Sequence, residues 1–144
     1  VAFGEALQPE FKDYAEQIIK NAKKLAEELQ KRDFKLVTDG TSNHLILADV
    51  YSSFGIDGKE AEIAMDKTGL TLNANAIPND SLTRFRPSGI RLGTPAVTTR
   101  GAKEADMRKI AEWMKQAINH RDSEERLVKL RQEVKHFCQT LSAI

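Results

Sequence analysis

The stretch SGIRLGTPAVTTRG, residues 88–101, decides how the rest of the chain is organised. Near its start Arg91 stands between two apolar residues, Ile90 and Leu92, and a glycine bounds this short run on each side. Because side chains alternate along a strand, a strand here would turn Ile90 and Leu92 to one face and Arg91 to the other. The planar fork of an arginine held in this way suits a carboxylate or a phosphate. The spacing alone favours the plainer alternative, an edge-strand arginine in water.

The composition indicates one ordinary globular domain. The chain has 144 residues, of which 22 are Lys or Arg and 21 are Asp or Glu, so its net charge is +1. Because positive and negative charges nearly balance, the chain creates no strong positive potential, and neither nucleic acid nor an anionic membrane is expected as a partner. Apolar runs such as 45–48 are too short to cross a bilayer. The single cysteine, Cys138, fits a reducing compartment, and the start at Val1, which has neither an initiator Met nor a signal-peptide pattern, suggests a fragment.

Apolar residues spaced three and four apart predict four long helices. The first follows Pro9, and the second begins at the capping box 57–60 and stops at Gly69. A third runs from about Lys103 to His120. The last follows a further predicted capping box at 122–125.

Strands are expected between these helices. Residues 34–37 and 44–50 are predicted to form a hairpin, residues 70–73 a third strand, and the run around Arg91 a fourth. The polar segment 74–87 carries two prolines and is a long loop, of a kind that usually has a function. The order of elements predicts an α/β sandwich, in which helices cover a small, mostly antiparallel sheet of three or four strands.

Few residues of this chain form a pattern that indicates chemistry. The three histidines lie on different predicted elements without ligand spacing, so we predict no metal site. Cys138 lies on the apolar side of the last helix and is expected to pack there. One polar cluster is left, and its amides, aromatic ring and cation together suggest one edge of a binding cleft: Asn73, Asn75, Thr83, Arg84, Phe85 and Arg91.

At these residues the chain resembles the serine hydroxymethyltransferase family of pyridoxal-phosphate enzymes. The run 88–101 matches the family's SGIRLGTPAVTTRG throughout, and residues 58–62 match its GKEAE. Residues 41–45, TSNHL, are similar to TDNHL, with Ser42 in place of the usual Asp. Residues 73–78, NANAIP, are similar to NKNxIP. The resemblance extends along the whole chain.

The resemblance implies the fold and what lies outside this chain. Residues 1–144 would be the C-terminal small domain of a fold-type I pyridoxal-phosphate enzyme. The N-terminal large domain, with the lysine that binds the cofactor and the residues that hold its phosphate, would precede it. No lysine here stands in the family's THK-type motif. The resemblance therefore implies no catalytic residue in this chain, which we expect to be inactive alone.

The resemblance also implies roles for the polar cluster. Arg91 matches the arginine that binds the carboxylate of serine or glycine, and Asn75 matches an asparagine that contacts the pteridine of tetrahydrofolate. The loop Thr83-Arg84-Phe85 stands where the family commonly has SPF, which also approaches the folate. Phe85 matches and Thr83 keeps a hydroxyl, whereas Arg84 departs from the usual proline. The folate role of this loop therefore has less support than the role of Arg91.

The implied parent enzyme transfers the hydroxymethyl carbon of serine to tetrahydrofolate, giving glycine and methylenetetrahydrofolate. It would be a cytoplasmic homodimer or dimer of dimers. A related pyridoxal-phosphate aldolase or a methylserine hydroxymethyltransferase could share this C-terminal run. A non-catalytic binding or assembly domain of the same fold is the alternative from a different class.

Overall fold

The computed structural model describes residues 1–142. In chain order its strands are β1 (Lys35–Leu36), β2 (Leu45–Asp49), β3 (Asn73–Asn75) and β4 (Gly89–Gly93). The helices of these residues are α1 (Ala2–Ala6), α2 (Pro9–Gln30), α3 (Val50–Phe54), α4 (Gly58–Thr68), α5 (Pro95–Thr99), α6 (Glu104–Asn119) and α7 (Glu124–Thr140).

The four strands form one antiparallel sheet in the order β1-β2-β4-β3. Strand β4, which carries Arg91, therefore lies inside the sheet rather than at its edge. Its register places Arg91 opposite Leu47 on β2 and opposite Asn73 on β3. Directly paired residues point to the same face, so these three side chains share one face of the sheet.

The opposite face of the sheet is the core face. Its residues Ile46, Ala48, Ile90 and Leu92 are all buried in the main hydrophobic cluster. Helices α2 and α4 contact the sheet, α6 lies across both of them, and α7 packs on α4 and α6. The alternation of apolar and polar residues along β4 thus reflects a sheet that is covered by helices on one side, which confirms the predicted fold class.

Most of the predicted elements are confirmed, and two boundaries are wrong. The four long helices form where the periodicity places them, and β1 and β2 pair as the predicted hairpin. The third strand is Asn73–Asn75 and not residues 70–73, because its ladder with β4 begins at Asn73, opposite Arg91, while Leu70 and Leu72 pack with the core. Val50 begins α3 instead of ending β2, since the Asp49 carboxylate accepts a hydrogen bond from the Ser52 amide and starts a helix.

The two predicted capping boxes have different outcomes. At α4 the Asp57 carboxylate accepts hydrogen bonds from the amides of Lys59 and Glu60, and the Glu60 carboxylate accepts one from the Asp57 amide, as predicted. At α7 the cap residue is Ser123, whose side chain makes no capping hydrogen bond, so the box predicted at 122–125 is wrong. Packing of the apolar face of α7 stabilises that helix without it.

Buried polar groups connect the long helix α2 to the segment after β4. The Asn21 amide, which is fully buried, donates hydrogen bonds of 2.9 Å to the Thr98 hydroxyl and to the Ala102 carbonyl. The Thr94 hydroxyl donates to the Ile18 carbonyl at 2.8 Å. Thr94 and Thr98 thus have structural roles, and they fix where the chain leaves β4.

A buried carboxylate on α2 stabilises the neighbouring end of the same helix. Glu28 is 5% exposed and forms ion pairs with Lys31 and Arg32, each at 2.8 Å, and with Lys24 at 3.0 Å. The hydrogen bonds from these three cations lower the pKa of Glu28 to about 2. Within residues 1–142, no helix is long and apolar enough to cross a membrane.

Candidate functional site

The candidate site lies on the open face of the sheet, defined here as the face that carries Leu47, Arg91 and Asn73. Arg91 is exposed there, at the centre of a row that runs across β2, β4 and β3. Its guanidinium forms no hydrogen bond or ion pair with any residue of the described chain. A strand-borne arginine without an internal partner is available for an anion, and its backbone position is fixed by two neighbouring strands.

The two asparagines of β3 lie beside this arginine. Asn73 pairs directly with Arg91 and is exposed, whereas Asn75 pairs with Gly89 and is half-buried. The amide nitrogen of Asn75 donates a hydrogen bond to the Ala76 carbonyl at 2.7 Å, which orients that side chain and leaves its oxygen as an acceptor. The structure therefore brings Asn73, Asn75 and Arg91 together on one face, as the cluster predicted from the sequence requires.

Residues 76–88 connect β3 to β4 and contain a carboxylate that closes the base of this loop. Asp80 accepts hydrogen bonds from the amides of Ile77 (3.2 Å), Leu82 (2.9 Å) and Ser88 (3.0 Å), and from the Ser88 hydroxyl (2.5 Å). Burial opposes ionisation of Asp80, yet these hydrogen bonds outweigh it and lower the pKa of Asp80 to about 2. Asp80 is therefore charged at neutral pH.

A second contact anchors the C-terminal arm of the same loop. The Arg86 guanidinium lies 2.5 Å from the Asp57 carboxylate and 3.6 Å from that of Glu60, so it joins the loop to the start of α4. Burial opposes ionisation of Asp57, but the Glu60 amide and the Arg86 side chain outweigh it, and the pKa of Asp57 is lowered. Sequence reasoning missed Asp80 and this pair, because no local pattern indicates contacts between residues so far apart.

The tip of the loop is exposed. Thr83, Arg84 and Phe85 are all accessible, and Phe85 is 89% exposed. Within the described residues, none of their side chains forms a hydrogen bond to the sheet. The structure thus brings the sheet residues of the predicted cluster together, whereas the side chains of the three loop residues are exposed and, within the described chain, are not seen to bond with them.

Two glycines allow the loop, α4 and β4 to approach closely. A Cβ atom on Gly58 would lie 2.0 Å from the Gly89 carbonyl oxygen. A Cβ atom on Gly89 would lie 2.5 Å from the Cγ2 atom of Ile77 and 2.8 Å from the Asn75 carbonyl oxygen. All three distances are far below van der Waals contact, so only glycine fits at these positions.

Other candidate groups take no part in this site. No group of three or more histidine, cysteine or acidic residues within 1–142 could hold a metal ion. Cys138 is half-buried and packs against the core beside Phe137, which confirms the predicted packing position. The adjoining apolar cavity, of about 270 Å³, lies among helices α5, α6 and α7 on the core side of the sheet.

Comparison with known proteins identifies the family. The family model described as Serine hydroxymethyltransferase matches residues 1–114. The serine hydroxymethyltransferase of Acidobacterium capsulatum is 51% identical over 134 residues, which cover 93% of this chain and 31% of that protein. The serine hydroxymethyltransferase of Koribacter versatilis is 45% identical over 138 residues, which cover 96% of this chain and 32% of that protein.

The chain thus spans about a third of the length of the curated relatives that it matches. The family model covers well over half of the chain, and the resemblance carried by the run 88–101 is confirmed. The small antiparallel sheet and its helices are consistent with a small domain of an enzyme of this family. On these grounds the chain belongs to the serine hydroxymethyltransferase family.

Proposed function

We propose that residues 1–144 are the C-terminal small domain of a pyridoxal-phosphate-dependent serine hydroxymethyltransferase. In this proposal the parent enzyme interconverts serine plus tetrahydrofolate and glycine plus methylenetetrahydrofolate. Arg91 binds the carboxylate of serine or glycine, and Asn75 with the tip residues Thr83, Arg84 and Phe85 contributes to the folate site. The observation that carries the proposal is the position of Arg91, exposed and without an internal partner on the open face.

The geometry of Arg91 suits a carboxylate clamp. Pairing on both sides, with Leu47 and Asn73, holds the backbone of this residue in place. The guanidinium presents two parallel N–H donors that match the two oxygens of a carboxylate. A clamp of this kind fixes how the amino acid is oriented, and orientation can supply a large part of a rate enhancement. Lysine would keep the charge but lose the fork.

The same residues do not fit the cofactor. A phosphate dianion is usually held by several donors, such as the amides at a helix N-terminus, whereas the described residues offer Arg91 as an isolated fork on this face. Pyridoxal phosphate, when bound, supplies an electron sink for the bonds at the α-carbon of the amino acid. We propose that residues outside this chain hold it, and we assign Arg91 to the substrate only.

The folate part of the proposal is supported by the chemistry of β3 and of the loop tip. A pteridine ring carries both donors and acceptors, and an asparagine amide can pair with either kind. Asn75 is half-buried next to the strand that carries Arg91, so it can approach a ring and the amino acid together. The exposed Phe85 offers an aromatic face, and Arg84 offers a cation that could bind an anionic part of the ligand.

We further propose that the parent enzyme is a cytoplasmic homodimer or tetramer and that the chain alone does not turn over serine. Exposed apolar side chains on α1 and directly after it support an assembly in which this N-terminal segment is covered, since Phe3 is 91% and Leu7 84% exposed. Assaying the 144-residue chain with serine, tetrahydrofolate and pyridoxal phosphate tests its inactivity. Measurable turnover by the purified chain would contradict that part of the proposal.

The carboxylate clamp is tested in the full-length enzyme that carries this chain. Arg91→Lys and Arg91→Ala are compared with the unaltered enzyme for the dissociation constants of serine and glycine. A hydrogen bond to a charged group contributes about 1.5–3 kcal/mol, which corresponds to a loss of roughly tenfold to a hundredfold in affinity. We expect a loss in this range for Arg91→Lys and a larger one for Arg91→Ala, with cofactor retention after gel filtration unchanged.

The matched control is Arg126→Lys, an exposed arginine on α7 whose guanidinium lies near His120. This variant should bind serine as the unaltered enzyme does. Unchanged serine affinity in Arg91→Lys would show that the fork is not the clamp. For the folate site, Asn75→Ala should raise the dissociation constant of tetrahydrofolate while that of serine changes little.

A further inference from the structure

We propose that Asp80 is a positioning residue, which holds the substrate arginine and the folate asparagine in their places by closing the base of the loop between their strands. The inference rests on the proposed function, because Arg91 and Asn75 have these roles only in the parent enzyme. Asp80 itself need touch no ligand. Its effect would pass through the register of β3 against β4.

Strand β3 needs this support because it is short and lies at the edge of the sheet. It has three residues, Asn73–Asn75, and pairs only with β4. A short edge strand specifies its register weakly, and a slip by one residue would turn its side chains to the opposite face. Such a slip would remove Asn75 from the face that carries Arg91. The Ala74 amide donates a hydrogen bond of 3.2 Å to the Glu62 carboxylate on α4, but this contact does not join β3 to β4. A contact between the end of β3 and the start of β4 would therefore help to hold the pair in register.

Asp80 provides that contact on both sides of the last ladder pair, Asn75 with Gly89. Ile77 follows Asn75 by two residues, and Ser88 directly precedes Gly89. One carboxylate accepts hydrogen bonds from the amides of both Ile77 and Ser88, and from the Ser88 hydroxyl as well. The carboxylate thus joins the end of β3 to the start of β4.

The Ser88 end of this connection is itself fixed. Ser88 is 2% exposed, and its carbonyl accepts hydrogen bonds of 3.1 Å from the amides of Val50 and Tyr51 at the start of α3. The preceding carbonyl, of Pro87, accepts a hydrogen bond of 2.7 Å from the Gly58 amide. Asp80 therefore links β3 to a point that hydrogen bonds to the starts of α3 and α4 hold in place.

The chemistry of the site requires a carboxylate rather than an amide. Asp80 receives four hydrogen bonds, three of them from backbone amides, and an ionised carboxylate has acceptors for all of them. In Asp80→Asn the side-chain nitrogen would face at least one backbone amide. In its better orientation the Leu82 amide loses its acceptor, and the other hydrogen bonds lose the charge that strengthens them.

The test is a double-mutant cycle in the full-length enzyme that carries this chain. Asp80→Asn is made alone and together with Arg91→Ala, and the dissociation constants of serine and tetrahydrofolate are measured for each. We expect Asp80→Asn alone to raise the dissociation constants of both ligands by about fivefold or more. In the Arg91→Ala background, Asp80→Asn should lower the affinity for tetrahydrofolate as before. It should leave the affinity for serine unchanged, because its effect on serine binding passes through Arg91.

The control and a milder variant make the outcome decisive. Asp122→Asn alters a carboxylate whose side chain is 91% exposed between α6 and α7, and it should change neither constant. Ser88→Ala removes only one of the four donors and should act in the same direction more weakly. If Asp80→Asn yields no folded enzyme, the same cycle with Ser88→Ala decides the question.

Two results would overturn the positioning role. One is an Asp80→Asn enzyme whose dissociation constants for both ligands lie within twofold of those of the unaltered enzyme, while Arg91→Ala lowers the affinity for serine. The other is an equal loss of serine affinity with and without Arg91, as general damage to the structure would cause. If Arg91→Ala itself leaves serine binding unchanged, the proposed function fails, and this inference fails with it. Because the Arg91→Ala variant alone reports that outcome, it can be told apart from a failure of the positioning role only.

Discussion

Gly89→Ala should destabilise the chain, because the space for a side chain at this position is already filled. The added Cβ atom would lie 2.5 Å from Ile77 Cγ2, 2.8 Å from the Asn75 carbonyl oxygen and 3.0 Å from the Ala48 carbonyl oxygen. Rotation of Ile77 could relieve the first contact. The other two are backbone atoms of the strands on either side of β4, so relief requires one of those strands to move.

The expected cost follows from these contacts. Overpacking of a well-packed site costs about 1–3 kcal/mol, and the two backbone contacts place Gly89→Ala near the upper end of that range. Replacing glycine by alanine regains about 0.5–1 kcal/mol through the unfolded chain. The free energy of unfolding should therefore fall by about 2 kcal/mol. With a urea slope of about 2 kcal/mol/M, the unfolding midpoint should fall by roughly 1 M.

Urea titration at neutral pH, followed by the fluorescence of Trp113, measures this change. Trp113 is the only tryptophan of the chain and is 2% exposed, so its emission should report loss of the core. The matched control is Gly4→Ala, since a Cβ atom there meets nothing within 4 Å. Its midpoint should stay the same or rise slightly. A Gly89→Ala midpoint equal to that of the unaltered chain would show that the close contacts at Gly89 do not exclude a side chain.

Three further predictions concern stability and association. The low pKa values of Glu28 and Asp80 mean that their stabilisation is complete above about pH 5 and is lost as the pH falls towards 2, so urea midpoints should decline across that window. A midpoint independent of pH there would contradict it. Asn21→Ala should lower the free energy of unfolding by about 2 kcal/mol in the same titration, because it leaves buried acceptors without a donor, and an unchanged value would argue against that network. The isolated chain should self-associate in sedimentation velocity, and replacing Phe3 and Leu7 by serine should reduce this; equal association of both forms would exclude that surface.

A sheet covered by helices could be predicted from the sequence because the patterns that indicate it involve residues close together in the chain. Apolar residues at three- and four-residue steps identify the long helices, and the alternation around Arg91 identifies β4 and its two faces. Strand β3 was misplaced for a physical reason: Leu70 and Leu72 have strand-like spacing, yet they pack among the helices, while the polar Asn73–Asn75 forms the ladder. Polar edge strands give little local signal.

The candidate site could be predicted only in part from the sequence. The alternation puts Arg91 on the face opposite the core, but the register that sets Asn73 beside it depends on pairing between distant residues. The Asp80 contacts and the pair Arg86–Asp57 likewise join positions on different elements. A sequence pattern shows which residues can bond, whereas the fold determines which of them meet.

Most of what we propose for this chain depends on Arg91 binding the carboxylate of the amino-acid substrate. A crystal structure of the full-length enzyme with serine bound tests it most directly. We expect two nitrogens of the Arg91 guanidinium to lie about 2.7–2.9 Å from the two carboxylate oxygens, as in a bidentate ion pair. A serine carboxylate that is held by other residues, with Arg91 pointing into solvent, would contradict it.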